Sequence, residues 1–248
     1  AWYQDWYGGE PHHKSTLKEG LEELLNTKIR CMDGWDRITL RAGDQYVAVQ
    51  EDGTLCLSDK ADLFVKEDWG DGRINLRCER TGKYVTTISK GRRQSEEEDG
   101  ALVAVKDAAF DWFVTAIFHI IPAENGAVRL TNRFDQLIQI SKDKKLYSAL
   151  TGEGSSFLME TVVDGFEEVQ SLMQCAKTVI LALGCHPMVN AKEEIDRTTL
   201  ALPPHQEKLA KMICKIKPDA ICVLFSNYPY TIHSVQNTLP AIVWSATG

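Results

Sequence analysis

The chain has 248 residues, of which 44% are hydrophobic and 25% charged, a profile that excludes collagen-like, low-complexity and wholly disordered chains. Its 28 basic and 35 acidic residues leave a net charge of −7. That balance repels phosphate backbones and argues against nucleic acid as a partner. No apolar run reaches the roughly 20 residues that span a bilayer, so no membrane is expected either.

In chain order, the N-terminal stretch AWYQDWYGGEPHHK has neither the charged start nor the apolar run of a signal peptide. Thr16 and Glu19 then form a capping box. Leu17, Leu21, Leu24 and Leu25 fall on one helical face, and the helix ends near Asn26. Lys28 to Cys31 reads as a short strand.

From residue 36 to 163 the sequence changes to short strands separated by turns, and it repeats three times. The landmarks are Ile38-Thr39-Leu40, Tyr46-Val47, Leu55 and Phe64 in the first unit. They are Ile74-Asn75-Leu76, Tyr84-Val85, Leu102 and Phe113 in the second, then Val128-Arg129-Leu130, Leu137-Ile138, Leu146 and Phe157 in the third. A charged loop lengthens the second unit, where Lys90-Gly91-Arg92-Arg93 runs into Glu96-Glu97-Glu98-Asp99. Mixed charge without aromatics marks that loop as solvated. Three units of roughly 40 residues, none able to bury its apolar face alone, suggest a β-trefoil. The Leu-Arg and Gly-Lys-Tyr-Val phrasing resembles the fascin-like trefoils. The Gln-x-Trp signature of sugar-binding ricin-type trefoils does not occur.

Beyond residue 163 the helical period returns. Asp164 and Glu167 repeat the capping signal before Phe166, Val169, Leu172 and Met173. Thr178 to Leu183 is a continuous apolar strand of the kind buried on both sheet faces. Pro203 and Pro204 open a helix with Leu209, Met212, Ile213 and Ile216 on one face, and Pro218 ends it. Ala220 to Phe225 and Ala241 to Trp244 are further strands. Strand and helix alternate, which predicts an α/β fold: a doubly wound, mostly parallel sheet, interrupted by an all-β β-trefoil insertion. The expected domains are residues 1–35 with 164–248, truncated at both ends, and residues 36–163. Seven scattered cysteines without a C-x-x-C pair suit neither zinc nor disulfides and place the chain in the cytoplasm.

Ligands of parallel sheets sit beyond the carboxyl ends of the strands. The segment there, Gly184-Cys185-His186-Pro187-Met188-Val189-Asn190-Ala191-Lys192-Glu193-Glu194-Ile195-Asp196-Arg197, has one glycine and therefore no phosphate cradle. It offers two adjacent carboxylates and an Asp-Arg pair. Either carboxylate suits general acid/base work; the competing reading is a solvated acidic loop.

This segment, with Leu200-Ala201-Leu202-Pro203, Lys217-Pro218, Ser226-Asn227-Tyr228-Pro229 and Pro240 to Trp244, resembles the second domain of glycoside hydrolase family 3. Asp5-Trp6-Tyr7-Gly8-Gly9 and Thr16 to Leu25 are similar to an earlier stretch of that domain. The resemblance implies a retaining β-glycosidase of β-glucosidase or β-xylosidase type, acting on terminal β-linked sugars or oligosaccharides without cofactor or metal. It implies that the nucleophile lies in a TIM-like barrel domain of the same protein, so the chain reads as a fragment inactive by itself. Glu193 matches the glutamate of the family's Glu-Gly-x-Asp-Arg phrase, and Glu194 replaces the glycine. These two are the catalytic candidates. In many members the catalytic glutamate stands slightly upstream, where this chain reads Val189-Asn190-Ala191, and one branch takes its proton donor from the barrel. His186, Asp196, Arg197 and Trp6 are the substrate-binding candidates. Trp35 and Trp69 offer further stacking faces. The rival class is a non-catalytic carbohydrate- or protein-binding module built on residues 36–163.

Overall fold

The computed structural model describes residues 12–13, 15–88, 100–191 and 197–246. The chain forms two compact units, Trp35–Gly165 and the pair Ala1–Gly34 with Phe166–Gly248. The charged loop at 90–99 lies outside the described residues.

The first unit is antiparallel throughout. Its strands are β1 (Asp36–Ala42), β2 (Gln45–Val49), β3 (Leu55–Ser58), β4 (Phe64–Gly70), β5 (Arg73–Cys78) and β6 (Tyr84–Ile88), followed by β7 (Gly100–Lys106), β8 (Phe118–Pro122), β9 (Val128–Asn132), β10 (Leu137–Ile140), β11 (Leu146–Ala149) and β12 (Leu158–Val163). Seven of them, in the order β5-β6-β7-β11-β10-β9-β8, close into a barrel because β8 pairs back onto β5. Closure removes the free edges that an open sheet leaves to other chains.

The repeat sets the pairing. Ile38 of β1 faces Phe64 of β4, Ile74 of β5 faces Phe118 of β8, and Val128 of β9 bridges to Phe157. Phe64, Phe118 and Phe157 are all fully buried in one core with Leu40, Val47, Leu55, Leu76, Val85, Leu102, Leu130, Ile138 and Leu146. Burying each phenylalanine contributes about 1.5–3 kcal/mol. In the second unit the sequence reading placed the fourth landmark at Phe113. The structure gives that role to Phe118, and Phe113 is 36% exposed. The extra residues lie between β7 and β8, which makes the step from Leu102 to Phe118 longer than the corresponding steps of the other two units, so counting by spacing stops at an earlier phenylalanine. Trp35 and Trp69 are buried at 7% and 6% exposure, with ring centroids 5.6 Å apart. Buried and packed ring to ring, they offer no open sugar-stacking face.

The second unit holds helix α1 (Leu17–Leu25), α2 (Gly165–Cys175, with Gly165 belonging to the first unit), β13 (Ile180–Gly184), α3 (Pro204–Ile216), β14 (Ile221–Phe225), α4 (His233–Gln236) and β15 (Ala241–Ser245). Three parallel strands run in the order β13-β14-β15. Their core joins Leu181, Leu183, Cys222 and Leu224 to Leu209, Ala210 and Ile213 of α3.

The expected fold class is overturned. The chain is mostly β, 39% strand against 18% helix, with a closed seven-strand barrel and no doubly wound α/β sheet interrupted by a trefoil. Antiparallel strands joined by short turns dominate, and the parallel part has three strands. A doubly wound sheet also needs both faces covered. Here β13 alternates exposed and buried residues, and Val243 and Trp244 of β15 are 52% and 62% exposed.

The capping box on α1 forms as expected, with Thr16 Oγ1 accepting from Glu19 N and Glu19 accepting from Thr16 N. Asn26 closes the helix in the left-handed region at φ 46°. Its leucine stripe, however, leaves Leu24 and Leu25 at 79% and 58% exposure. The strand expected at 28–31 does not form, because the Ile29 amide donates to the Glu22 carboxylate at 2.8 Å instead of to a neighbouring strand. Among the described residues, no helix is long and apolar enough to cross a membrane.

Candidate functional site

The site is built at the carboxyl ends of β13 and β14. Gly184 ends β13 at φ +155°, and a Cβ there would stand 2.0 Å from the Phe225 carbonyl oxygen. Only glycine lets the two strand ends run this close. Gln206 of α3 grips the same residue twice: its Nε2 donates to Gly184 O at 2.8 Å, and its Oε1 accepts from Gly184 N at 3.0 Å. The start of α3 is thereby tied to the end of β13.

Residues 185–191 then turn back in a buried loop. The His186 carbonyl accepts from the amides of Val189 and Asn190 at 3.1 and 3.2 Å. Asn190 Oδ1 accepts from His186 N at 2.7 Å, and His186 Nδ1 accepts from Met188 N at 3.2 Å. Accepting at Nδ1 fixes the neutral tautomer with its proton on Nε2. Burial pushes the His186 pKa down to about 3, so the ring is uncharged at neutral pH. Residues 185–191 are thus a packed, self-bonded turn.

From the β14 side, Ser226 is fully buried. Its hydroxyl donates to Tyr228 O at 2.7 Å and accepts from Tyr228 N at 2.9 Å. The Cys185 thiol lies 3.8 Å from Ser226 Oγ, and burial pushes its pKa up. A protonated, buried thiol is a poor nucleophile. Tyr228 OH donates to Ala191 O at 3.1 Å. The Arg197 guanidinium stands over two rings, 5.3 Å from the Tyr228 centroid and 4.4 Å from that of Tyr230. Its Nη2 donates to Pro229 O at 3.2 Å. Arg197 and Tyr230 are close neighbours, and burial pushes the Tyr230 pKa up to about 12 while Arg197 opposes the shift.

Of the sequence-derived candidates, the structure describes His186 and Arg197, both on the segment that follows β13. Glu193, Glu194, Asp196 and Trp6 lie outside the described residues. Tyr228 and Tyr230 were not among the candidates. Their signal in the sequence was two tyrosines flanking a proline just past a buried strand, opposite an arginine. No group of three His, Cys, Asp or Glu among the described residues could hold a metal ion.

The small parallel sheet thus carries, past its strand ends, a packed loop and an arginine lined by two tyrosines. The sequence profile of the Glycosyl hydrolase family 3 C-terminal domain matches residues 3–248, and the chain belongs to that family. No curated protein matches the chain. Among solved structures, a salivary protein from Culex quiquefasciatus of the Cysteine and Tryptophan-Rich family shares 9% identity at a TM-score of 0.42, covering 53% of this chain and 99% of its own.

Proposed function

We propose that this chain is the accessory domain of a retaining β-glycosidase, of β-xylosidase or β-glucosidase type, that removes terminal β-linked sugars. The observation that carries this reading is the family match over residues 3–248. In this reading the domain is discontinuous, residues 1–35 and 164–248, with 36–163 inserted as a scaffold. The segment after β13 lines the active site, and a TIM-like barrel domain of the same protein supplies the nucleophile. Glu193 or Glu194 protonates the leaving oxygen and later activates water, as the two-carboxylate mechanism of retention requires. Neutral, buried His186 belongs to the sugar-binding set through the shape it gives the loop. Asp196, Arg197 and Trp6 complete the sugar-binding set. Seven free cysteines support a reducing compartment, the cytoplasm.

The test is hydrolysis of aryl β-glycosides by the whole protein. Glu193→Gln or Glu194→Gln should slow poor leaving groups by about 10²–10⁴-fold and good ones much less, because only the poor ones need a proton. Equal rates in wild type and both variants would remove these residues from the mechanism.

A second reading, a carbohydrate- or protein-binding role for the barrel, is favoured by its aromatic loop. Phe110, Trp112 and Phe113 are 36–43% exposed, and Phe113 stands 6.5 Å from Phe134. Loss of glycan retention in a Trp112→Ala, Phe113→Ala double variant with unchanged turnover would favour it.

A further inference from the structure

The second repeat departs from the first in the connection to its fourth strand. Residues 59–63 suffice between β3 and β4, whereas residues 107–117 lie between β7 and β8. The longer connection buries its smaller residues and shows its largest ones. Ala109, Val114, Thr115, Ala116 and Ile117 are buried, while Phe110, Trp112 and Phe113 are exposed. Apolar burial alone drives the opposite sorting, because an aromatic ring gains most by leaving water. Specific bonds hold the arrangement, at a cost in strain. Val114 has φ 49°, in the left-handed region that a β-branched side chain disfavours. The Asp111 carboxylate accepts from the Thr115 hydroxyl at 3.0 Å and from the Thr115 amide at 3.3 Å, and it pairs with Lys106. Beside this connection stands the β9–β10 turn. There buried Asn132 accepts from the amides of Phe134 and Gln136 at 3.0 and 3.1 Å. Arg133 joins the two loops by donating from Nη1 to the Phe113 carbonyl, and the Phe113 and Phe134 rings stand 6.5 Å apart.

We propose that the 107–117 connection and the β9–β10 turn together form a platform for a neutral polysaccharide, whose sugar rings stack on the faces of Trp112, Phe113 and Phe134. The inference rests on the second reading above and narrows it from carbohydrate or protein to one ligand class. Three observations select that class. A pyranose ring has apolar C–H faces and a rim of hydroxyls, so it fits flat aromatic faces edged by polar groups. The edge here holds Arg133 and exposed Asp135, whose carboxylate lies 4.0 Å from His119 Nδ1. Second, the charges along it are of both signs, Arg133 with Asp135 and Lys106 with Asp111, so the platform draws neither a polyanion nor a polycation. Third, the chain belongs to a family of glycosyl hydrolases, whose substrates are carbohydrates. Loops already fixed by Asp111 and Asn132 lose little conformational freedom on binding, which lets modest stacking contacts suffice. Holding the protein on a polymer in this way raises the effective concentration of sugar around it.

The experiment is affinity electrophoresis of the whole protein through gels that hold mixed-linkage β-glucan, xylan or soluble starch, with polygalacturonate as the charged control. Trp112→Ala, Phe113→Ala and Phe134→Ala each remove an aromatic face. Asp111→Ala loosens the connection that presents two of them, and Val162→Ala alters an exposed apolar residue of β12 as a control. At least one neutral polymer should retard the wild type. Each aromatic substitution should weaken that binding roughly tenfold or more, Asp111→Ala roughly three- to tenfold, and Val162→Ala less than about twofold. Amide exchange of β5 and β8 reports whether each variant keeps the barrel; if Phe134→Ala does not, Phe134→Leu takes its place. Wild-type retardation in both Trp112→Ala and Phe113→Ala would overturn the platform and leave a binding role for the barrel at another face. Stronger retardation by polygalacturonate than by every neutral polymer would overturn the ligand class. No retardation by a neutral polymer, with dimers in sedimentation that Trp112→Ala abolishes, would give this face to a second copy and sink the carbohydrate assignment; no retardation and no dimers would sink the second reading itself. Intact retardation without hydrolysis of aryl β-glycosides would sink the glycosidase reading and leave the platform standing.

Discussion

The barrel unit and the parallel-sheet unit use the same apolar residue types to opposite ends. In the barrel, three repeats turn Phe64, Phe118 and Phe157 into one closed core, and β8 pairing with β5 leaves the ring without an open edge. In the other unit, among the described residues, the sheet stays open with β15 at its edge, and the strand ends carry a turn held by polar side chains. Symmetry serves stability, because each repeat answers the same packing problem. Chemistry needs the departure from symmetry, where a loop can be held by contacts particular to itself.

The largest effect that would sharpen this contrast is in the barrel. Phe118→Ala should cost about 3–5 kcal/mol, since it opens a cavity in a fully buried site. Phe113→Ala, at a surface position, should cost less than about 1 kcal/mol. Urea-dependent hydrogen exchange of the β5 and β8 amides measures both, and comparable losses would break the assignment of Phe118 to the repeat.

Next comes Gly184→Ala in the open sheet. The new methyl meets the Phe225 carbonyl, and the backbone there disfavours a side chain, so about 2–4 kcal/mol should be lost locally. Exchange should quicken at β13 and β14 and stay unchanged in the barrel. An effect spread evenly over both units would contradict their separate packing.

The remaining contrast is in pH. His186 takes a proton near 6.5 when unfolded and near 3 when folded, so between those values the unfolded state binds more protons. Stability of the parallel-sheet unit should therefore fall as pH drops from about 6.5 towards 3. In the barrel, the hydrogen bond and charge of Arg80 hold the Asp62 carboxyl below its usual range. That depressed value contributes stability above pH 4 or so, lost only as pH falls further. Half-buried His119 shifts in the same direction as His186, with Asp135 opposing the shift. Exchange profiles between pH 7 and 4 should show the open sheet loosening before the barrel. The reverse order would contradict the burial of His186.

Much of this was readable in the residues. Alternating apolar landmarks located the strands of the barrel core, and proline punctuation located α3 to within a residue. Three short parallel strands were likewise visible as apolar runs. Their apolar character, however, suggested burial on both faces, because a run such as Ile180 to Leu183 looks the same whether one face is covered or two. The fold class was misjudged for that reason. Tyr228 and Tyr230 escaped notice as site residues because their partners, Ala191 and Arg197, lie over 30 positions away in the chain. No local pattern encodes a backbone carbonyl as the destination of a hydroxyl.

One pairing outside the seven barrel strands, between β1 and β12 of the same unit, brings the two ends of the all-β segment together. Arg37 of β1 lies opposite Val163 of β12, and the Gly165 amide bonds the Asp36 carboxylate at 3.1 Å. Entry and exit of the all-β segment are thus next-door neighbours, roughly one strand spacing of 5 Å apart. A gene segment encoding such a unit can be spliced in or lost at one point of a recipient protein, since the two cut ends stay within reach of a residue or two.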